Sequence, residues 1–436
     1  MSTVFRFIHA ADVHLGSYLN INGKPQDEVQ DLCKVAVYDG FQRICSKAIS
    51  YKVDFILLCG DVYDSYLRSV RGNRFFVKQC IRLGEKNIGV YVIYGNHDAT
   101  NEKCELFDMP VNVHILSADK AESLEVYKSG EVIAKIIGKS YKHRSEREKS
   151  YESYSLDNDV FNIAMLHTAL EKENKNYIPC TLEELKKVPN IDYWALGHIH
   201  KPSILNATKP IIAFSGIPQG RDMGEQGIGG VYLVEALGKE VISMEFLPIS
   251  TIIYKSVEII IGDADKMQNF SDLVKLILDK ISLIYENPDL FKEVKGNIMQ
   301  VIIRGRTNLH NEITGMREED YEQFMENINE ELDHFKYFMW IDSIIFRTGP
   351  IMQNFETLKI QNSIFQDLEE VINLCTGDSG YRNELLKNWG LIWKKQICTE
   401  NIEEDKFDFS EEIIQDIILQ AKELVIEELV SALEIT

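Results

Sequence analysis

The sequence predicts an α/β layered domain, followed by a small α+β domain and a helical C-terminal region. Three observations carry this. Up to about residue 250, short β-rich apolar runs alternate with longer helical stretches. Five of those runs are followed at once by short clusters of Asp, Asn and His. Near Ser250, and again at Gly349-Pro350, the character of the chain changes.

The elements follow in order. Phe5 to Ala10, Asp54 to Cys59, Val90 to Tyr94, Phe161 to Leu166 and Asp192 to Leu196 read as strands, short, apolar and bounded by turn residues. Val70 to Leu83 reads as a helix between the second and third. Ile211 to Phe214 and Gly230 to Val234 read as antiparallel strands that finish a sheet. Beyond Ser250, Thr251 to Ile261, Asn297 to Arg304 and Phe338 to Arg347 are strand-like. Asp272 to Tyr285 and Glu318 to Phe335 between them are helical, and no cluster of chemically active residues lies there. The expected division is 1–250, 251–350 and 351–436. In the last part Ser410 is a good N-cap, and Glu411 and Glu412 sit where a helix dipole favours acid. Ile414, Ile417, Ile418, Ala421, Leu424, Val425 and Leu429 then fall at helical spacing.

Composition narrows the class. The 436 residues suggest about three domains. Hydrophobic residues are 45% and charged residues 26%, as in a folded chain. No apolar run reaches the roughly 18 residues that span a bilayer, so no membrane role is expected. MSTVFRFIHAADVH has no basic segment before an apolar core, which argues against secretion. The eight cysteines form no C-x-x-C and are too sparse for a disulfide scaffold, so reduced thiols in a cytoplasm are expected. The net charge of −21 excludes a chain that coats itself in nucleic acid, though not a local groove. Residues 351–436 hold seven basic and eighteen acidic side chains, which marks them as a separate unit.

The chemistry sits at strand ends. Asp12-Val13-His14 follows FRFIHAA, Gly60-Asp61-Val62-Tyr63-Asp64 follows DFILLC, and Gly95-Asn96-His97-Asp98 follows VYVIY. His167 follows FNIAML, and Gly197-His198-Ile199-His200 follows DYWAL. The C-terminal ends of strands are where open α/β sheets place ligands. Carboxylate oxygen, imidazole nitrogen and an amide carbonyl together suit manganese, iron or zinc better than calcium or magnesium. Seven or eight ligands are too many for one ion. They suit two ions sharing a carboxylate, roughly 3.5–4 Å apart, which activate a water and clamp a phosphoryl group.

Each motif is common alone; the five in this order are specific. The series D-x-H, G-D-x-x-D, G-N-H-D, H, G-H-x-H resembles that of the calcineurin-like metallophosphoesterases. HAADVHLGS, VYVIYGNHD, ALGHIHKP and SGIPQGR narrow the resemblance to the SbcD-type DNA-repair nucleases, and within them to the YhaO-like exonuclease proteins. The match covers roughly residues 5 to 235; beyond 250 it is architectural only. The resemblance implies a four-layer αββα sandwich with a capping domain and a helical tail. It also implies two divalent metals, most plausibly Mn2+. By the same resemblance Asp12, His14 and His200 bind one ion, Asn96, His167 and His198 the other, and Asp61 both. His97 becomes an acid for the leaving group or a stabiliser of the transition state, with Asp98 orienting its ring. Asp64 supports the metal loop, where some relatives carry a histidine. Tyr94-Gly95 stands where many relatives have Pro-Gly.

Other features have plainer readings. His9, inside the first strand, reads as a packed histidine, and His114, His143, His310 and His334 as surface residues. There is no G-x-S-x-G elbow. Gly138-Lys139-Ser140 resembles a phosphate loop, but Ile133 stands where its first glycine belongs, so ATP binding is not expected. The basic stretch Lys139 to Lys149 is interrupted by Glu146 and Glu148 and reads as a solvated loop. Arg68, Arg71, Arg74 and Arg221 are candidates to face a substrate groove.

The expected function is a two-metal DNA phosphodiesterase, exonuclease or endonuclease, in repair. By resemblance it works with an SMC/Rad50-like coiled-coil ATPase on another chain, docked by the helical tail, and as a homodimer. The alternative is hydrolysis of a small phosphodiester or a phosphoprotein. A scaffold with a dead site would need a broken ligand, and none is missing.

Overall fold

The computed structural model describes residues 3–64, 69–100, 107–171, 176–262, 267–285, 294–332, 338–351 and 358–377 other than 361. Residue 380 and scattered residues between 417 and 430 are also described. The chain falls into two compact units. The first takes in 1–259, 274–302 and 317–345, the second 260–273, 303–316 and 346–436.

Two six-stranded sheets build the part of the first unit that carries the motifs. One comprises β1 (Val4–Ala10), β2 (Phe55–Cys59), β3 (Gly89–Ile93), β4 (Val113–Ile115), β11 (Gly230–Leu237) and β12 (Glu240–Pro248), in the order β12-β11-β1-β2-β3-β4. The other comprises β5 (Glu122–Lys128), β6 (Glu131–Gly138), β7 (Phe161–His167), β8 (Tyr193–Gly197), β9 (Ser203–Asn206) and β10 (Ile211–Phe214), in the order β5-β6-β7-β8-β10-β9.

Period-two alternation sets the layers. Phe5 and Phe7 of β1, Phe55 and Leu57 of β2 and Tyr91 of β3 share one buried cluster with Phe161, Ile163, Tyr193 and Ala195 of the other sheet. The intervening residues Ile8, Ile56, Leu58, Val90 and Val92 pack instead on Val37, Phe41 and Ile44 of α1 (Asp27–Ser50) and Phe76, Cys80 and Leu83 of α2 (Val70–Gly84). Behind the second sheet, Leu166, Trp194 and Leu196 pack on Leu185 of α3 (Leu182–Lys187) and on Tyr141, Tyr151 and Tyr154. The layers run helices, sheet, sheet, short helix with loops: the expected four-layer sandwich.

β1, β2 and β3 are parallel, so their C-terminal ends lie together. β7 and β8 are likewise parallel. One expectation fails here. β10 and β11 are not neighbours closing one sheet: β10 runs parallel to β8, while β11 lies antiparallel to β1 in the other sheet. The reason is β9, which turns the chain back beside β10 so that Ile211 to Phe214 run in the same direction as β8.

A three-stranded sheet, β13 (Ile252–Ile261), β14 (Gly296–Arg306) and β15 (Phe338–Gly349), accompanies α4 (Phe270–Tyr285), α5 (His310–Thr314) and α6 (Glu318–Leu332), the α+β pattern expected. In the second unit Phe365 of α7 (Ile364–Gly377) shares a small buried cluster with Leu358 and Ile426. Ser410 and Ile414 lie outside the described residues, while Ile417, Ile418, Ala421, Leu424, Val425 and Leu429 are helical. Among the described residues no helix is long and apolar enough to cross a membrane.

Candidate metal centre

The loops after β1 and β2 run side by side. The amides of Asp12, His14 and Leu15 donate to the carbonyls of Gly60, Asp61 and Val62 at 2.8–3.1 Å. The third loop joins them through the His97 amide, which donates to Asp61 Oδ1 at 2.9 Å. The loop after β8 joins through the His198 amide, which donates to Asp12 at 3.0 Å. Asp12, His14, Asp61 and His198 all have positive φ, a conformation that non-glycine residues adopt at a cost of order 1–2 kcal/mol each. Gly60 and Gly95 are set by close approach. A Cβ on Gly60 would lie 2.1 Å from His167 Nδ1, and one on Gly95 would lie 2.3 Å from Asp61 Oδ1.

Ligand-type atoms converge accordingly. Those of Asp12, His14 and His200 lie within 4.8 Å of one another, as do those of Asp12, Asp61 and His167, and those of His14, Asp64 and His97. His14 Nε2 stands 3.4 Å from His200 Nε2. Asn96 Oδ1 stands 3.0 Å from His167 Nε2 and 3.2 Å from His198 Nδ1. The seven expected ligands are thus brought together, drawn from both sheets.

This donor set fits cations. The Nδ1–H of His167 donates to the Cys59 carbonyl at 3.0 Å, and a carbonyl can only accept. In the neutral ring Nε2 is then a lone pair, facing the oxygens of Asn96 at 3.0 Å and Asp61 at 3.5 Å. Acceptor faces acceptor, which a proton or a metal resolves. Burial works against a charge on His167, yet Asp61 and Asp12 overcome it and lift its pKa to about 9. Burial and then the neighbouring His167 charge push His198 down to about 3, so it offers a neutral imidazole. Burial lifts Asp12 to about 6. Burial also acts to raise Asp61, but His167 and His14 outweigh it and hold that carboxylate well below the usual range.

His97 differs from the buried ligands. Its side chain is 34% exposed, against 0% for His14 and His167, so it can meet a substrate. The expected contact of Asp98 with its ring is corrected. The carboxylate of Asp98 accepts backbone N–H groups of Val62 at 2.7 Å, Tyr63 at 3.2 Å and Gly95 at 2.7 Å, leaving the ring to another partner. That partner is Asp64, 3.9 Å from His97 Nδ1, which raises the imidazole pKa.

Among the arginines, Arg221 reaches the cluster, but as an ion-pair partner of Glu225 and, at 3.9 Å, of Asp64. Arg71 is exposed on α2 with its guanidinium 4.9 Å from the ring centre of Tyr38, and Arg68 lies outside the described residues. Lys139, Lys142 and Lys149 pair with Glu148, Asp119 and Glu184; residues 142–149 form the solvated loop expected, whereas Lys139, Ser140 and Tyr141 are buried. His9 is fully buried and hydrogen-bonded, as expected of a packed histidine.

Two residues of the centre were not legible in the motifs. Glu225 accepts the Nδ1–H of His200 at 2.7 Å. Tyr177 packs its ring on His198 with 4.4 Å between centres. Both stand on loops, where no periodicity marks them; the one signal is that Glu225 follows Arg221 by four residues.

Comparison with known proteins agrees with this geometry. A family model described as calcineurin-like phosphoesterase matches residues 5–202. "Uncharacterized metallophosphoesterase YhaO" of Bacillus subtilis is 36% identical over 286 residues, 65% of this chain and 69% of that one. "DNA double-strand break repair protein Mre11" of Methanocaldococcus jannaschii is 29% identical over 306 residues, 66% of this chain and 76% of that one. The protein of the same name from Archaeoglobus fulgidus is 27% identical over 236 residues, 50% of this chain and 51% of that one. With the five strand-end motifs gathered on one donor cluster and this similarity along the chain, the protein belongs to the calcineurin-like metallophosphoesterase family, whose members are metal-dependent hydrolases of phosphate esters.

Proposed function

We propose that this chain is a two-metal DNA phosphodiesterase, a nuclease that serves DNA repair with an SMC-like ATPase partner on a separate chain. The carrying observation is the convergence of imidazole, carboxylate and amide donors on Asp61, beside a His97 ring open to substrate. DNA as the substrate is supported by the two relatives named for double-strand break repair. In this reading Asp12, His14 and His200 hold one ion, Asn96, His167 and His198 the other, and Asp61 both. Two bound manganese ions supply an activated water and neutralise charge on the phosphate oxygens.

The chain's own residues do the rest. His97 carries a proton to the departing sugar oxygen, and Asp64 keeps its ring aimed and raises its pKa. Asp98 holds the loops of Asp61 and Asn96 in register through backbone amides. With a net charge of −21 the chain as a whole repels the DNA backbone, so binding by the chain alone is weak and strongly salt-dependent. A homodimer and the ATPase, met by the acidic C-terminal region, supply the rest of the grip.

The test is cleavage of linear duplex and single-stranded DNA by the purified chain with manganese, beside EDTA and His97→Ala controls. DNA loss that needs both manganese and His97 supports the reading. His97-dependent turnover of a small diester with DNA left intact replaces it with the small-molecule phosphoesterase.

A further inference from the structure

We propose that Glu225 is the positioning residue of the metal centre. It fixes His200 in the tautomer that presents Nε2 to the cation held with Asp12 and His14. The inference rests on the metal reading of those three residues and adds a fourth that acts behind them.

The geometry is that of a carboxylate–imidazole–metal relay. Glu225 Oε1 lies 2.7 Å from His200 Nδ1. A carboxylate at that distance makes Nδ1 the protonated nitrogen and leaves Nε2 as the lone pair beside His14 Nε2. The carboxylate is itself held. Arg221 donates from Nη2 to Oε1 at 2.7 Å, from Nε to Oε2 at 3.2 Å and from its backbone amide to Oε2 at 2.8 Å. The Arg221 carbonyl in turn accepts from the Asn20 amide at 2.7 Å and the Tyr254 hydroxyl at 2.9 Å. The loop is shaped for this contact: a Cβ on Gly220 would lie 2.4 Å from the Glu225 carbonyl.

His200 differs in this from the other ligands. A backbone carbonyl orients His167, and the buried Nδ1 of His14 has no hydrogen-bond partner among the described residues. Of these three, His200 is the one set by a side chain, which a substitution can remove. Arg221 therefore serves the centre through Glu225, not as an open phosphate contact.

Manganese titration of the full-length chain, followed by electron paramagnetic resonance, tests this. Wild type takes up two ions. Glu225→Ala weakens one of them by about 10- to 100-fold and leaves the other unchanged, and His200→Gln weakens the same ion. Glu225→Gln keeps the volume and an acceptor oxygen, weakens that ion less, and is the variant to read where Glu225→Ala does not fold. A role confined to loop structure would lower the melting temperature of the metal-free variant and weaken both ions equally. That result, or two unchanged affinities, overturns the proposal. A wild-type chain that takes up no manganese overturns the metal reading itself, and this proposal with it.

Discussion

The carboxylate of Asp64 stands 3.9 Å from Nδ1 of His97, while its other oxygen accepts the Ser17 hydroxyl at 2.6 Å. Asp64 is thereby aimed at His97, whose side chain is 34% exposed. Replacing it with Asn should lower manganese-dependent cleavage by about 10- to 100-fold while two manganese ions still bind. Removing the ring itself, in His97→Ala, should cost about 10²- to 10⁴-fold. Steady-state cleavage set beside manganese titration separates the two effects. An Asp64→Asn chain with full activity would sink the assignment.

Asp98 has the opposite profile. Its buried carboxylate accepts three backbone amides from two loops, and burial raises its pKa to about 7. Asp98→Ala leaves those amides without an acceptor and should destabilise the metal-free chain by about 3 kcal/mol or more. Denaturant midpoints in EDTA measure it. A change confined to activity, with stability intact, would return Asp98 to the role of orienting His97.

Gly95→Ala is the sharpest test of packing at the centre. The added Cβ would lie 2.3 Å from Asp61 Oδ1 and 2.7 Å from His167 Nε2, and neither side chain has room to retreat. Stoichiometric manganese uptake should be lost, and the melting temperature in EDTA should fall as well, since overpacking a buried site costs about 1–3 kcal/mol. Metal analysis after gel filtration reports the outcome.

His9 supplies a pH signature away from the ligands. The Leu196 carbonyl accepts from Nε2, so Nδ1 accepts the Tyr193 hydroxyl, each at 3.0 Å. Burial lowers its pKa from 6.5 to about 4, the Leu196 contact only partly opposing. Below pH 6.5 the unfolded chain binds this proton and the folded one does not. Stability therefore falls as the pH drops from 6.5 to about 4, by about 3 kcal/mol from this group. His9→Gln should flatten the pH dependence of the guanidinium midpoint over that window; identical slopes would contradict the assignment.

The centre was legible in the sequence because its ligands sit in fixed order directly after apolar runs. Asp12, Asp61, Asn96, His167 and His200 all fall where parallel strands end. What was not legible depends on contacts across the fold. Glu225 meets His200 from a loop that no periodicity describes. Asp64 rather than Asp98 faces His97, a choice made by backbone amides that seize Asp98 first. α1 carries a weak apolar signal, since half of its buried face is made of small residues, Cys33, Ala36, Gly40, Cys45 and Ala48. The β5–β6 hairpin carries little apolar signal, since its outer strand, ESLEVYK, has a single buried residue and carries charge.

One consequence follows from where the ligands originate. Asp12, Asp61 and Asn96 stand on the ends of one sheet, His167, His198 and His200 on the other, and between the sheets lies a greasy seam of aromatic and aliphatic side chains, crossed by the hydrogen bonds of His9. An ion gripped from both sides works as a rivet across that seam. Because the unfolded chain cannot assemble this grip, each bound ion strengthens the fold by mass action. Chelation should loosen the two halves of the sandwich before it disturbs either sheet, so amide exchange at the open ends of β2 and β8 should quicken ahead of that at their middles.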